Sequence, residues 1–191
     1  MKKEILTDKL YYGFPVILVG YKDDKWGYNV TTSSSSYTLS DMLTIGVSKK
    51  GHAYKQIKKY QEFSINLPSK ELLQKIEICG FYSGQNKLAM ADLTYDKGSF
   101  TDTPLIDDCF LNIECVVNHI VESKKYVNII ATIKRRIVDE NIIDENNNII
   151  AKKINPIYII GDDSKMKFRY LGEGENILGE NMDCSNTTEC S

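Results

Sequence analysis

A dense run of hydroxyl and amide side chains occupies residues 29–36. Asn29 and Val30 are followed by six consecutive Thr or Ser residues, Thr31 to Ser36. The run follows an apolar, strand-like segment at residues 14–21 and its polar turn. Hydroxyl and backbone N–H groups at the end of a strand can hold a phosphate or the edge of a flavin. The same composition is also typical of a flexible linker, which is the competing interpretation.

Two further segments carry groups that suit an anion. Residues 48–52, Ser-Lys-Lys-Gly-His, form a basic turn before a predicted helix, whose N-terminus offers free N–H groups to a phosphate. Residues 79–87 include Ser83, Gly84 and Lys87, which supply a hydroxyl, a close backbone approach and an ammonium group. The structural alternatives are a solvated charged turn for the first segment, and a helix stop at Gly80 with an ordinary turn for the second.

The three segments share one chemistry, because each supplies hydroxyl, N–H or cationic groups suited to a phosphate monoester. The glycine patterns of dinucleotide-binding and triphosphate-binding loops do not occur in the sequence. Neither His52 nor His119 lies in a pattern typical of a metal site or a catalytic triad, so we expect no metal. A mononucleotide on a β scaffold is therefore the favoured ligand.

These groups need a scaffold, and the apolar periodicity predicts one made mainly of strands. Strands are predicted at residues 14–21, 26–34, 42–47, 62–67, 111–117, 126–137 and 157–160, and helices at 52–60 and 69–78. Many strands with a few short helices favour a mainly β, antiparallel barrel, closed or partly closed, with Greek-key-like connections. We expect one domain over residues 1–173 and a polar C-terminal arm over residues 174–191.

Composition and charge exclude several classes of partner. The net charge of -2 gives no basic field for a polyanion, so we expect no nucleic-acid partner. No apolar segment approaches the ~20 residues that span a bilayer, and no secretion signal is recognisable. The five cysteines are scattered, with no Cys-x-x-Cys pair. We therefore expect a cytoplasmic protein in a reducing compartment, with no membrane association.

An ordered set of short motifs runs along the chain. The motifs are Phe14-Pro15-Val16-Ile17-Leu18-Val19, Asn29-x-x-Thr32-x-Ser34, His52-Ala53-Tyr54-Lys55-Gln56-Ile57, Glu62 to Ser69, Cys79 to Gly84 with Lys87, Pro104-Leu105-Ile106 and Tyr170-Leu171-Gly172-Glu173. Their order resembles the flavin reductase-like family, the flavoredoxin group, whose members are FMN-binding split β-barrels. Where many members have Trp, Arg and Arg, this chain has Ser35, Gly51 and Gln85.

The resemblance implies a homodimer that binds FMN at or near the subunit interface. By position, the segment from Asn29 to Ser34 would line the flavin and its ribityl chain. The 48–52 turn and the 83–87 segment would hold the phosphate. The implied cofactor-binding residues are Asn29, Val30, Thr31, Thr32, Ser33, Ser34, Ser48, Lys49, Lys50, His52, Ser83, Gly84 and Lys87.

The activity implied by the resemblance is that of an NAD(P)H-dependent FMN oxidoreductase. In such chemistry the cofactor carries the hydride or electrons, so we expect no obligatory catalytic side chain. NADH or NADPH would be the donor, and flavin or a downstream acceptor would be reduced. The alternatives are a non-enzymatic, flavoredoxin-like electron carrier that serves a redox partner protein, and a degenerate barrel that binds another ligand or only itself.

Overall fold

The computed structural model describes residues 2–172 and 174. In chain order the strands are β1 (Leu10–Pro15), β2 (Ile17–Asp23), β3 (Gly27–Ser33), β4 (Ser36–Leu39), β5 (Met42–Ser48), β6 (Glu62–Pro68), β7 (Tyr95–Lys97), β8 (Pro104–Ile106), β9 (Cys109–Glu122), β10 (Tyr126–Val138), β11 (Tyr158–Asp162) and β12 (Met166–Arg169). The helices are α1 (His52–Tyr60), α2 (Leu73–Phe81) and α3 (Lys87–Met90), with single 3₁₀ turns at Lys70–Leu72, Glu140–Ile142 and Ala151–Lys153. The polar arm predicted over residues 174–191 lies, apart from position 174, outside the described residues.

A seven-stranded antiparallel sheet forms the centre of the fold, in the order β3-β2-β6-β9-β10-β5-β4. Strand β10 pairs with β9 on one side and with β5 on the other, and the Ser33 hydroxyl at the end of β3 donates to the Gly46 carbonyl of β5, which brings the two sides of the sheet together. A second sheet, β1-β11-β12, and a two-stranded pair, β7-β8, complete the described strands. All of these pairings are antiparallel, which confirms the prediction of a mainly β, antiparallel fold.

Strand β2 separates two hydrophobic clusters, which explains its continuous apolar sequence. Ile17, Val19 and Tyr21 face one cluster, and Leu18 faces the other. Because side chains alternate across a strand, a strand covered on both faces needs apolar residues at every position. The predicted strand at 14–21 is in fact two strands, since the chain leaves the small sheet at Pro15. The N–H of Val16 there donates to the carbonyl of Ile157.

The helices agree with the sequence to different degrees. The predicted helix at 52–60 has the bounds of α1. The predicted helix at 69–78 is a 3₁₀ turn at Lys70–Leu72 followed by α2, which continues through Gly80 to Phe81. Gly80 does not stop the helix. It lies against β3, where a Cβ atom would come 3.4 Å from Cβ of Thr32, so its small size allows α2 to approach that strand.

Candidate functional site

A cavity of about 640 Å³ lies where the large sheet, the small sheet and α2 meet. That volume is in the usual range for small-molecule sites, roughly 300–1,000 Å³. Eight of the residues predicted from the sequence line it, and these are Thr31, Thr32, Ser33, Ser34, Ser48, His52, Ser83 and Lys87. The structure thus brings groups from all three predicted anion-binding segments to one cavity.

The hydroxyl-rich run begins as a regular strand. Thr31, Thr32 and Ser33 pair in register with β2, which rules out a flexible linker over these residues. Two of their hydroxyl groups have partners in the protein. The Thr32 hydroxyl donates to the Ile76 carbonyl at 2.6 Å, and the Ser33 hydroxyl donates to the Gly46 carbonyl at 3.3 Å. These bonds fix the wall of the cavity to α2 and to β5.

Lys87 is a buried cation at the wall of the cavity. Only 5% of the residue is exposed. Its Nζ donates to Thr31 Oγ1 and to the Cys79 carbonyl, each at 2.8 Å. Burial lowers the pKa of the ammonium group to about 8. Within residues 2–172 and 174, Lys87 forms no ion pair with a carboxylate. A buried charge without a counter-charge is costly, so an anion in the cavity would stabilise it.

The first turn of α1 forms another part of the wall. Gly51 precedes the helix in an extended conformation and makes no side-chain cap, and the first turn contains no acidic residue. Residues 51–54 line the cavity. An uncapped helix N-terminus carries free N–H groups and partial positive charge, so this end of the cavity favours an anion.

Behind this wall lies a buried hydrogen-bonded group that we call the Asp23 network, formed by Asp23, Asn29, His52 and the backbone of residues 85–87. Asn29 Oδ1 accepts from the N–H of Lys87 at 3.0 Å, and Asn29 Nδ2 donates to the carbonyl of Gln85 at 2.9 Å. Asn29 Nδ2 also reaches Asp23 Oδ2 at 3.4 Å, and the same oxygen lies 2.6 Å from His52 Nε2. The network therefore joins α1 to the 83–87 segment.

Asp23 was missed as a site residue, because the sequence places it in a polar hairpin turn. In the structure it is the last residue of β2 and is buried. Burial alone would raise the pKa of its carboxyl group, but hydrogen bonds from the Lys25 N–H, His52 and Asn29 outweigh burial and lower it. The signal was available in the alternation of β2, which puts Asp23 on the inner face with Val19 and Tyr21.

Five predicted residues do not line the cavity. Asn29 lies behind the wall, and Val30 belongs to the buried core. Lys49 forms an ion pair with Glu122, Lys50 is exposed, and Gly84 occupies a turn at φ 67°. Direct contact of these five residues with a cofactor stays a prediction. Asn29 supports the cavity wall through its hydrogen bonds to residues 85–87, and the ion pair of Lys49 with Glu122 competes with any ligand for that lysine.

The outer part of the cavity is apolar and largely aromatic. Tyr11 and Phe168 come from the small sheet, Phe81 and Tyr82 from the end of α2, and Tyr126 from β10. None of these side chains was assigned to the site from the sequence. Phe81 and Tyr82 lie within the predicted 79–87 segment, whereas Tyr11 and Phe168 come together because the small sheet joins segments far apart in the chain. Flat apolar surfaces of this kind suit a planar ring.

The part of the chain that is described contains neither a candidate metal site nor a candidate membrane-spanning helix. There, no group of three or more His, Cys, Asp and Glu residues is arranged to hold a metal ion. Across the same residues, no helix is long and apolar enough to cross a membrane. The cavity is therefore the candidate site.

Several solved structures share this fold. Flavoredoxin of Desulfovibrio vulgaris (Miyazaki F) gives a TM-score of 0.85 at 24% identity, over 95% of this chain and 99% of that chain. An FMN-binding protein from Thermus thermophilus, with bound 1-cyclohex-2-enone, gives a TM-score of 0.76 at 14% identity, over 93% of this chain and 99% of that chain. A flavin reductase with a split barrel domain from Shewanella frigidimarina NCIMB 400 gives a TM-score of 0.75 at 16% identity, over 86% of this chain and 85% of that chain. These similarities confirm the split β-barrel.

The family itself is shown by the sequence match. A relative from Bacillus subtilis (strain 168), the uncharacterized protein YdfE, is 27% identical over 175 residues, covering 81% of this chain and 84% of that protein. The model of the flavin reductase like domain matches residues 10–155, which include β3, α1 and Lys87. The chain therefore belongs to the flavin reductase-like family, and its family supports a flavin-related oxidoreductase function.

Proposed function

We propose that this protein binds FMN in the cavity and transfers hydride or electrons between a reduced nicotinamide and the flavin or a downstream acceptor. The observation that carries the proposal is Lys87, a buried ammonium group that has no carboxylate partner among the described residues and faces the same cavity as an aromatic wall. A flavin mononucleotide combines the two matching features, an anionic phosphate and a planar ring.

The residues at the Lys87 end fit a single phosphate monoester. The Lys87 ammonium has three N–H donors and uses two of them, on Thr31 and Cys79, which leaves one for a ligand. The Ser83 hydroxyl and the first turn of α1 line the same cavity. One buried cation with a helix N-terminus suits one phosphate, which supports FMN over the pyrophosphate of FAD.

The remaining lining residues would orient the ring and exclude water. Bound FMN would supply the hydride and electron chemistry. Ser34 and the backbone beside it offer hydrogen bonds to a polar ring edge, while Tyr11 and Phe168 offer apolar surface. We assign no obligatory acid or base to hydride transfer.

A homodimer is part of the proposal. Strand β4 lies at the edge of the large sheet, and its Tyr37 and Leu39 are exposed. Tyr126 lines the cavity and is also exposed by about half. Exposed apolar side chains on an edge strand and at the cavity rim suit a second copy of the chain. Sedimentation of the purified protein should give twice the mass of the chain, and a monomer at micromolar concentration would contradict this part.

A flavoredoxin-like electron carrier is the second candidate function. Phe81 lines the cavity rim with 83% of its surface exposed. An exposed aromatic side chain next to a redox site could contact a partner protein directly. In that case electrons would reach the flavin from a redox partner and not from a nicotinamide.

Spectroscopy of the purified protein tests both candidates. We expect FMN to bind the apoprotein with quenching of flavin fluorescence, and FAD to bind more weakly. Anaerobic NADH or NADPH should then bleach the oxidised flavin band if the protein is an enzyme. Bleaching by dithionite or a partner protein, but by neither nicotinamide, identifies the carrier. A colourless protein that binds no FMN on titration would refute both.

A further inference from the structure

His52 has a defined tautomer because it faces a buried carboxylate. The Asp23 side chain has no exposed surface, and its Oδ2 lies 2.6 Å from His52 Nε2. Hydrogen bonds from the Lys25 N–H, His52 and Asn29 favour the ionised carboxylate against its burial. A carboxylate accepts hydrogen bonds, so the hydrogen of the neutral imidazole belongs on Nε2. Nδ1 is then the atom through which His52 can gain a proton.

The position of His52 makes that atom relevant to the cavity. His52 lines the cavity together with Lys87 and Ser83, and 28% of its side chain is exposed. Trp26 and Tyr21 pack edge-on against its ring, at centroid distances of 5.8 and 6.2 Å. These contacts restrict the ring, and no described residue hydrogen-bonds Nδ1.

The charges around His52 come from every neighbouring segment. Asp23 and the Tyr21 phenol come from β2, and Lys87 lies across the cavity on α3. The other charged groups on adjacent segments are Glu77 of α2, which is exposed and lines the cavity, Lys25, which lies over the Trp26 ring, Asp24, which is paired with Lys59, Lys49, which is paired with Glu122, and the exposed Lys50. Asp23 and Lys87 are thus the buried charges nearest to the ligand end.

A phosphate dianion in this cavity would not be fully neutralised by the charged side chains beside it. With neutral His52, the group of Asp23, Lys87 and the phosphate carries a net charge of about −2. Addition of one proton at Nδ1 reduces this to about −1 and creates a donor to a phosphate oxygen. Because Asp23 has no exposed side-chain surface and Lys87 is only 5% exposed, solvent screens their charges poorly, and the smaller net charge is preferred.

We propose that His52, oriented by Asp23, is a specificity-determining residue that takes up one proton at Nδ1 when a phosphate-bearing flavin binds. The inference rests on the proposed function. The proton comes from solvent, and no covalent bond other than the new N–H forms or breaks. Asp23 is a positioning residue, which acts through His52 and Asn29. The cavity thereby distinguishes FMN from riboflavin, which has the same ring but no phosphate.

Calorimetry of FMN binding in buffers with different ionisation enthalpies measures the proton directly. Phosphate-free buffers at pH ~7 suit the experiment, since histidine side chains ordinarily titrate near 6.5. Lys87, with its pKa of about 8, is mostly charged there and contributes little. We expect an uptake of about 0.5–0.8 protons per FMN and less than about 0.1 per riboflavin. Uptake below about 0.2 with FMN bound would overturn the inference while leaving the proposed function intact. Failure of the wild type to bind FMN refutes the proposed function and this inference with it.

The two histidines of the sequence provide a matched pair of variants. His52→Gln should reduce uptake to less than about 0.2 protons and weaken FMN binding about 10-fold, with riboflavin affinity nearly unchanged. His119→Gln, on an exposed position of β9, should behave as the wild type. Asp23→Asn should lower both the proton uptake and the FMN affinity, as His52→Gln does. Without the carboxylate, the hydrogen of the neutral imidazole is no longer held on Nε2. If Asp23→Asn does not fold, the histidine pair decides, and equal uptake by His52→Gln and His119→Gln refutes the inference.

Discussion

Asp23 and Glu114 are two carboxylates with no exposed side-chain surface, yet they serve different regions. Each accepts hydrogen bonds from backbone N–H groups. Asp23 also contacts His52, which lines the cavity. Among the described residues, the Glu114 carboxylate hydrogen-bonds the loop at residues 98–103 and lies 3.7 Å from the guanidinium of Arg135. Burial alone therefore does not identify a functional carboxylate. Contact with a residue that lines a cavity does.

The Glu114 region shows what a purely structural carboxylate does. Glu114 Oε2 accepts from the N–H groups of Phe100 and Thr101 and from the Thr101 hydroxyl, at 2.8 to 3.1 Å. Its Oε1 has no hydrogen-bond partner among residues 2–172 and 174. These bonds attach the 98–103 loop to β9. We therefore expect changes at Glu114 to affect stability without affecting ligand binding.

Glu114→Ala gives the largest expected loss of stability. It leaves the N–H groups of Phe100 and Thr101 without their acceptor inside the protein and removes one of the two partners of the Thr101 hydroxyl, which costs about 4 kcal/mol in the free energy of unfolding. Urea denaturation measures this loss. The affinity for FMN should change less than about 2-fold at temperatures where the variant is folded. A large loss of FMN affinity in folded Glu114→Ala would break the comparison with Asp23.

Lys87→Met tests the cation of the cavity region. Removal of a buried ammonium that hydrogen-bonds a phosphate should weaken FMN binding about 100-fold at pH ~7, as measured by fluorescence titration. Riboflavin has no phosphate, so its affinity should change less than about 3-fold. Equal losses for FMN and riboflavin would show that Lys87 contacts the ring or acts through folding, and not through the phosphate.

The same variant makes a prediction for the stability of the apoprotein with pH. The pKa of Lys87 falls from its usual 10.5 to about 8 on folding, so the folded state binds fewer protons between those values. Burial of the charge costs about 3 kcal/mol below pH ~8, and this cost disappears as pH rises towards 10.5. Relative to Lys87→Met, the wild type should therefore gain stability from pH ~8 to ~10. A constant difference in unfolding free energy would contradict the burial of a charged Lys87.

Gly98→Ala tests how tightly the 98–103 loop packs against Glu114. A Cβ atom at Gly98 would clash with Glu114 Oε2 and would lie 2.7 Å from the Thr101 carbonyl oxygen. Glu114 Oε2 is held in place by its hydrogen bonds to Phe100 and Thr101, so we expect a loss of about 2 kcal/mol in unfolding free energy. Gly172→Ala is a matched control, since a Cβ there meets no atom within 4 Å. Equal stability of the two variants would mean that the loop adjusts freely.

Parts of this architecture could be predicted from the sequence because they depend on local pattern. Helix α1 was predicted with its observed bounds, and the hydroxyl run on β3 and Lys87 were assigned to one ligand. The aromatic wall was not predicted, because Tyr11 and Phe168 meet only through the pairing of β1, β11 and β12. Asp23 was not predicted, because it is one of the consecutive charged residues from Lys22 to Lys25 that the sequence places in a hairpin turn. Local composition does not show which of those charges the strand turns inward.

Two of the three predicted phosphate-binding lysines show the same limit. By residue type, Lys49 and Lys87 are equal candidates. The fold brings Glu122 beside Lys49 and gives Lys87 no carboxylate partner within the described ranges 2–172 and 174. The Lys49, Lys58 and Tyr54 side chains together lower the pKa of Glu122 to about 2. The difference between the lysines therefore arises from a residue of β9, far away in the sequence.

Lys49→Met should consequently have the smallest effect. It is chemically the same change as Lys87→Met, but it removes a partly exposed cation that is already paired, and such surface pairs contribute little. We expect the affinity for FMN to change less than about 3-fold, against about 100-fold for Lys87→Met in the same titration. A loss of 10-fold or more would mean that Lys49 leaves Glu122 when the phosphate binds. The boundary of the cavity region would then extend to the 48–52 turn as a whole, as its sequence suggests.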